Sequence, residues 1–385
     1  MNLVANAHSI ATELAAQSAE SEEQRHLTDA AVQTMADAGL WQILTPRTYG
    51  GLEAGLAAQV DTVLIAAEAY SAAGWSQLVI NAHSWIIGSF PVECADEVFA
   101  SGPNTRIPGT LASQGSVRHT DDGWVLNGRW QFASGVDHGD WLLMGALVDQ
   151  PAAGQPRAVH VVVPKADLVV DDTWHTLGLR GSGSKDLVAD DVLVPAYRSM
   201  DTRELFEGLS PHGERHATHF NRLPVIVCLN IQLAAAVLGM ANAALSLFID
   251  LTKAQNDGYI GAAKSQRAGI QMRVAESAAE LASGRLLVDR AAERCDLVAS
   301  DGTPLTTDER AELKWHSSYV VELARRATDR LYAVSGAHAV YNDSALQTRY
   351  RDVNTACHHA IADMDSTAEM YGRVQLGLGP GTPLV

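Results

Sequence analysis

From Leu223 to Ile249 the chain carries no charged residue. A helix that is apolar on every side has no face for water, so such a stretch needs a bilayer or the middle of a protein around it. Its content favours the protein interior. Pro224, Asn230, Gln232, Asn242 and Ser246 interrupt the run, and much of its apolar share is alanine. The expectation is a central helix enclosed by other helices, with no membrane partner. With 385 residues, 47% of them hydrophobic, the chain can supply that enclosure and can form two or three packed units.

The texture changes twice along the chain. Residues 1–105 read as a helical domain. Thr28-Asp29 is a helix start, Val32, Met35 and Ala36 share a face, and Gly39 is the stop. A turn at Pro46 and Tyr49-Gly50-Gly51 leads to a second helix expected from Gln59 to Ala73, interrupted by Glu68 and ended by Gly74. Residues 106–205 carry short β-branched runs between Gly and Pro turns. Asp121-Asp122-Gly123 is a hairpin signal ahead of Trp124, and strands are expected at 141–148, 158–164 and within 186–195. This predicts a small β-barrel or sandwich. From 206 to 385 the pattern is helical again. Leu313, His316, Val320, Leu323, Ala327, Leu331 and Val334 step by threes and fours along one face, and 274–292 is equally periodic. The predicted fold is mostly α with a central β domain: an N-terminal helical domain, a middle β-barrel and a C-terminal four-helix bundle.

A formal net charge of −17 leaves no basic surplus for phosphates, which argues against nucleic acid. Cys94, Cys228, Cys295 and Cys357 are far apart and form no CxxC pair, so free thiols in a reducing compartment are expected. Residues 1–16 lack the features of a secretory signal, which predicts a cytoplasmic protein. Cys357-His358-His359 could suggest a metal cluster. Adjacent helical residues diverge by about 100°, however, and only Asp363 lies four residues on, so no metal is expected.

Three landmarks in order carry a family resemblance. They are Gly39-Leu40 with Pro46 and Tyr49-Gly50-Gly51, the run Leu177-Gly178-Leu179-Arg180-Gly181-Ser182-Gly183-Ser184-Lys185-Asp186 ending at Val194-Pro195, and Leu346-Gln347 with Arg349 and Arg351-Asp352. Together they resemble the acyl-CoA dehydrogenase superfamily over nearly the whole chain. A dehydrogenase of that fold carries a glutamate base nine residues after the arginine of its Arg-Asp pair. Here that residue is Ala360, which has no proton chemistry, and His359 precedes it. Gly128-Arg129-Trp130-Gln131-Phe132-Ala133-Ser134-Gly135 with His138 and Trp141, His83-Ser84-Trp85, and His359 resemble the oxygenase component of two-component flavin monooxygenases, closest to its phenol and secosteroid hydroxylases.

That resemblance implies an enzyme that takes diffusible reduced FMN or FAD from a separate NAD(P)H:flavin reductase. It forms a C4a-hydroperoxyflavin with O2 and hydroxylates a small aromatic substrate. It also implies a homotetramer. No G-x-G-x-x-G fingerprint follows a predicted strand, which leaves hydride chemistry to the reductase. The intermediate must be kept dry and held by fixed donors. Candidate flavin contacts are Ala133, Ser134 and Gly135, where glycine permits close approach and the hydroxyl can bond near N5. Ala112, Ser113, Gln114, Trp85, Arg180 and Ser184 are further candidates. The catalytic candidates are His359, Ser134 and His83. His359 can take a phenol proton or donate to the hydroperoxide. Lys264 or Arg267 could meet the flavin phosphate. Arg351-Asp352 reads as structural hydrogen bonding at a helix junction. The alternatives are an N- or S-oxygenase on the same scaffold, an acyl-CoA dehydrogenase with Glu322 as a relocated base, and a scaffold without activity.

Overall fold

The computed structural model describes residues 2–151, 157–210, 212, 215–216, 220–256, 261 and 263–385. The N-terminal helices are α1 (Leu3–Ala16), α2 (Ser18–Gln24), α3 (Asp29–Asp37), α4 (Leu56–Ala69), α5 (Ser71–Ile87) and α6 (Val92–Val98). Thr28 caps α3 by accepting from the Ala31 N–H. Gly39, at φ +78°, turns the chain out of the helix so that the Leu40 N–H reaches the Met35 carbonyl.

The single helix expected from 59 to 73 is two helices, and Gly74 does not end one. Tyr70 is extended (φ −147°, ψ 119°) between α4 and α5. The cause lies far along the chain. The Arg349 guanidinium donates to the carbonyls of Ala67, Glu68 and Ala69 and to the Ser71 hydroxyl, taking the acceptors that a continuing helix would have used. Gly74 instead lets α5 approach α4, since a Cβ there would lie 2.5 Å from the Ala67 nitrogen.

The middle of the chain is one seven-stranded sheet built from β1 (Gly109–Thr120), β2 (Gly123–Ala133), β3 (Trp141–Val148), β4 (Ala158–Pro164), β5 (Val169–Asp171), β6 (Lys185–Pro195) and β7 (Ser199–Asp201). The order is β5-β6-β2-β1-β3-β4-β7. The Asp121-Asp122 turn closes the β1–β2 hairpin, pairing Thr120 with Gly123. β1 and β3 are parallel, and the register shifts between Thr110 and Gly115. β2 shifts against β6 between Trp130 and Ala133. Both irregularities fall at the same end of the sheet, where the Gln131 N–H donates to the Gln114 side chain. Trp130, Leu126, Leu142, Met144, Val161 and Leu187 pack into a separate core on the sheet.

Beyond α7 (Thr202–Glu207) come α8 (Val225–Ala254), α9 (Ala268–Asp301), α10 (Thr307–Tyr332), α11 (Ala345–Ala356) and α12 (Met364–Gln375). Among the described residues α8 is the one helix long and apolar enough to cross a membrane, and 94% of its most apolar window is buried inside the protein. Two of its buried amides are bonded there, although the Asn230 Oδ1 and the Thr252 hydroxyl have no partner among the described residues. Asn230 donates to the Lys314 carbonyl and the Ser318 hydroxyl, and Gln232 accepts from Gln59. Each leucine, valine or isoleucine so enclosed contributes about 1.5–3 kcal/mol. The α10 stripe is buried at Leu313, Val320, Leu323, Ala327 and Leu331, with His316 half-buried, while Val334 lies past the helix end.

Candidate active site

Ser134 follows the last residue of β2 and is 5% exposed. Its hydroxyl accepts from the indole N–H of Trp75 on α5 at 3.0 Å and lies 2.7 Å from the Ser184 hydroxyl. Ser184 is in turn 2.7 Å from Ser182. Gly135 adopts φ +80° and donates to the Ser182 carbonyl. A Cβ on Gly135 would come no closer than 3.5 Å to α5, so its glycine identity answers to the backbone angle. Ser76, next to Trp75, is fully buried and its hydroxyl has no partner.

His359 meets this group through Trp75, their ring centroids 5.8 Å apart at 60°. It does not lie on a helix, contrary to the sequence expectation. α11 ends at Ala356, and His359 caps the short turn 360–362, its Nδ1 accepting from the Ile361 N–H at 3.3 Å. His358 is likewise off the helix, so a helical angle between the two histidines has no meaning. The residue as a whole is exposed, while desolvation of its ring lowers the pKa to about 4. An N–H donor on Nδ1 leaves the ring proton of the neutral form on Nε2.

The loop 177–184 closes one side, and Arg351-Asp352 hold it in place. The Leu179 N–H donates to Asp352 at 2.7 Å, and Arg351 donates to the Leu177 carbonyl at 2.7 Å. Gly178 sits against the same backbone, where a Cβ would be 2.4 Å from the Arg351 carbonyl. Gly181 lies over Tyr70 and donates weakly to Glu22. Burial, helped by the nearby Asp352 charge, raises the Glu22 carboxyl to about 7. Asp352 is raised as well, chiefly by burial.

Not all candidates converge. Ala133, Ser134, Gly135 and Ser184 form one cluster with His359. Arg180 is in the same loop, half-buried, with an unpartnered Nε. Ala112, Ser113 and Gln114 lie on the irregular stretch of β1 beside Gln131, with Ala112 and Gln114 exposed. His83 points elsewhere: its Nδ1 donates to the Ile107 carbonyl at 2.8 Å, and burial lowers its pKa to about 4. Trp85 packs on Phe220 in the helical core at 2% exposure, its indole N–H unpartnered. Lys264 donates to the Ser335 carbonyl at 2.7 Å and lines a cavity of about 500 Å³ at the end of α8. Glu322 is paired with Arg325.

Two residues beside this cluster were not singled out as site candidates from sequence, although Phe132 lies in the Gly128–Gly135 pattern. Trp75 stands among small and apolar residues and reads as core, and only its indole bond to Ser134 marks it. Phe132 is 58% exposed at φ +68°, a strained conformation for an aromatic residue, with its ring edge-on to Trp174.

Comparisons with known proteins identify the family and the fold. The N-terminal domain model of acyl-CoA dehydrogenase matches residues 3–97, and the C-terminal domain model matches residues 231–364. Pigment production hydroxylase of Rhodococcus sp. (strain ATCC 21145) is 30% identical over 384 residues, spanning 100% of this chain and 98% of its own. The oxygenase component of FADH(2)-dependent resorcinol hydroxylase from Rhizobium sp. (strain MTP-10005) is 28% identical over 371 residues, spanning 94% and 90%. The solved structure of XiaF from Streptomyces sp. in complex with FADH2 and glycerol superposes with a TM-score of 0.92 at 27% identity, spanning 100% and 97%.

Proposed function

Since the chain belongs to the acyl-CoA dehydrogenase family, we propose that Ser134, Trp75 and His359 form its active site and that the reaction run there is oxygenation. The protein is the oxygenase component of a two-component flavin-dependent monooxygenase. It takes reduced FMN or FAD from a separate reductase and uses O2 to hydroxylate an aromatic, phenol-like substrate. The observation that carries the site assignment is the Trp75 side chain, bonded to Ser134 on one edge and packed on His359.

The residues fit a flavin. Trp75 occupies one lone pair of Ser134, Ser76 has a buried hydroxyl with no partner, and Phe132 leaves a strained ring exposed two residues from Ser134. Reduced flavin, when bound, supplies the electrons that activate dioxygen. Ser134 then offers a hydroxyl proton to the ring edge, and Gly135 lets the backbone come close. Trp75 and the 177–184 loop exclude water from the same side. His359 holds its proton at Nε2 and offers it as a hydrogen bond to a reacting oxygen atom. With a pKa near 4 it stays neutral at pH 7 and keeps that proton. This supports the donor role over removal of the phenol proton, which would need a bare Nε2. Lys264 or Arg267 as the contact for a neighbouring subunit's flavin phosphate, a cytoplasmic homotetramer, and a division at 105 and 205 belong to the same proposal. They are carried by the family resemblance.

The test is to add reduced FMN or FAD anaerobically, admit O2 with a panel of phenols, and count hydroxylated product against hydrogen peroxide. His359→Ala should keep oxidising reduced flavin while product falls about 100-fold and peroxide rises. His359→Gln, whose amide can donate from the Nε2 position, should recover part of the yield. Unchanged hydroxylation in the alanine variant would refute the role of His359. Turnover of amines or thioethers, with phenols untouched, would move the reading to N- or S-oxygenation.

A further inference from the structure

Lys314 lies in the middle of the helical region on α10, and the residue is 5% exposed. A buried ammonium is costly unless an anion or several acceptors surround it. Lys314 has one acceptor, the Leu384 carbonyl at 2.5 Å, for its three donors. Among the described residues no carboxylate pairs with it. It still carries its proton at pH 7, although burial lowers its pKa to about 8.

This amine lines a cavity of about 370 Å³ between α10, α12 and the segment 380–384. Arg373 lines the same cavity. It donates to the Leu378 carbonyl, its Nε has no partner, and no carboxylate is paired with it among the described residues. The one acidic wall residue, Glu369, is exposed and forms no ion pair with either cation. Ile361, Met370 and Leu384 supply apolar wall, and a cavity of this size suits a small organic ligand. Ala360 and Ile361 belong to the turn that His359 caps, so an occupant would touch the segment holding His359.

We propose that this cavity binds an aromatic carboxylate, its anionic head between Lys314 and Arg373 and its ring against Ile361 and Met370. The binding does not depend on flavin. Because Ser134, Trp75 and the His359 ring do not line the cavity, the ligand acts as an effector on the His359 turn, a role that rests on the proposed function.

Binding is measured by calorimetry on the flavin-free protein with phenylacetate and 4-hydroxyphenylacetate, against phenylacetamide as the neutral match. The carboxylates should bind at least tenfold tighter than the amide. Lys314→Met should remove that preference, and Lys314→Arg should keep most of it. Because the methionine variant removes an unpaired buried charge, its ligand-free melting temperature should not fall, which separates lost binding from misfolding. Equal binding of acid and amide, or a preference that survives in Lys314→Met, overturns the site even if the oxygenase reading stands. Phenylacetate that changes the turnover of a neutral phenol identifies an effector site.

Discussion

His160 provides the most quantitative test of how the interior treats charge. The ring is fully buried on β4, its Nε2–H donating to the Leu111 carbonyl at 3.1 Å and its Nδ1 accepting from Thr202 at 3.0 Å. Burial lowers its pKa from 6.5 to about 4. The folded state therefore refuses a proton that the unfolded chain accepts. No stability is at stake above pH 6.5, and stability is lost progressively as pH falls from there towards 4. The full loss is about 3.4 kcal/mol at 1.36 kcal/mol per unit. At pH 5.0 the same two pKa values give about 2 kcal/mol. Glu22 works the other way: raised to about 7, it favours the folded state as pH falls, so the wild-type curve alone is uninformative. The useful quantity is a difference. His160→Gln keeps an amide donor for Leu111 and cannot titrate. In urea titrations at pH 7.5 and 5.0, the loss on acidification should be about 2 kcal/mol smaller in the variant than in the wild type. Equal losses would mean that the ring is protonated in place and that burial does not govern it.

Two further outcomes follow from the site. Gly181→Ala should destabilise by about 1–3 kcal/mol and weaken flavin binding, because its Cβ would lie 1.7 Å from the Tyr70 hydroxyl; adding Tyr70→Phe should restore both in a double-mutant cycle, and failure of that rescue would discard the steric account. Phe132→Gly relieves a left-handed aromatic residue, a strain of about 1–2 kcal/mol partly offset by glycine's chain entropy, so the melting temperature should hold or rise. Oxidised-flavin affinity should drop about tenfold in the same variant, and a lower melting temperature with unchanged flavin binding would make Phe132 a structural residue.

The regular elements were legible because their signals are local. The α3 cap at Thr28, its glycine stop at Gly39, the Asp121-Asp122 hairpin and the strands 141–148 and 158–164 depend on neighbours within a few residues. The break at Tyr70 was not legible, because an arginine nearly 280 positions later takes the helix-end carbonyls. Ser134, Ser184 and His359 were reachable through the family pattern, and the structure brings them together. Trp75 was not, since an indole among alanines gives the same sequence signal whether it fills a core or aims its N–H at Ser134. His359 was identified by its distance from Arg351-Asp352, but its local geometry was misread. Nothing in Cys357-His358-His359-Ala360 announces that the helix stops before the histidine and that the imidazole becomes a cap.

Arg349 and Asp352 sit one turn apart on α11 and reach in two directions, one to the end of α4 and the other to the loop that holds Ser182 and Ser184. The end of α4 and the 177–184 loop are thus both fastened by a helix that the ribosome makes late, after about nine-tenths of the chain. Until residue 352 has emerged and docked, α4 has no partner for its final carbonyls and the loop has no anchor. A chain caught before that moment lacks both fastenings, so the α4–α5 break and the Ser182–Ser184 loop are set only once α11 has been made.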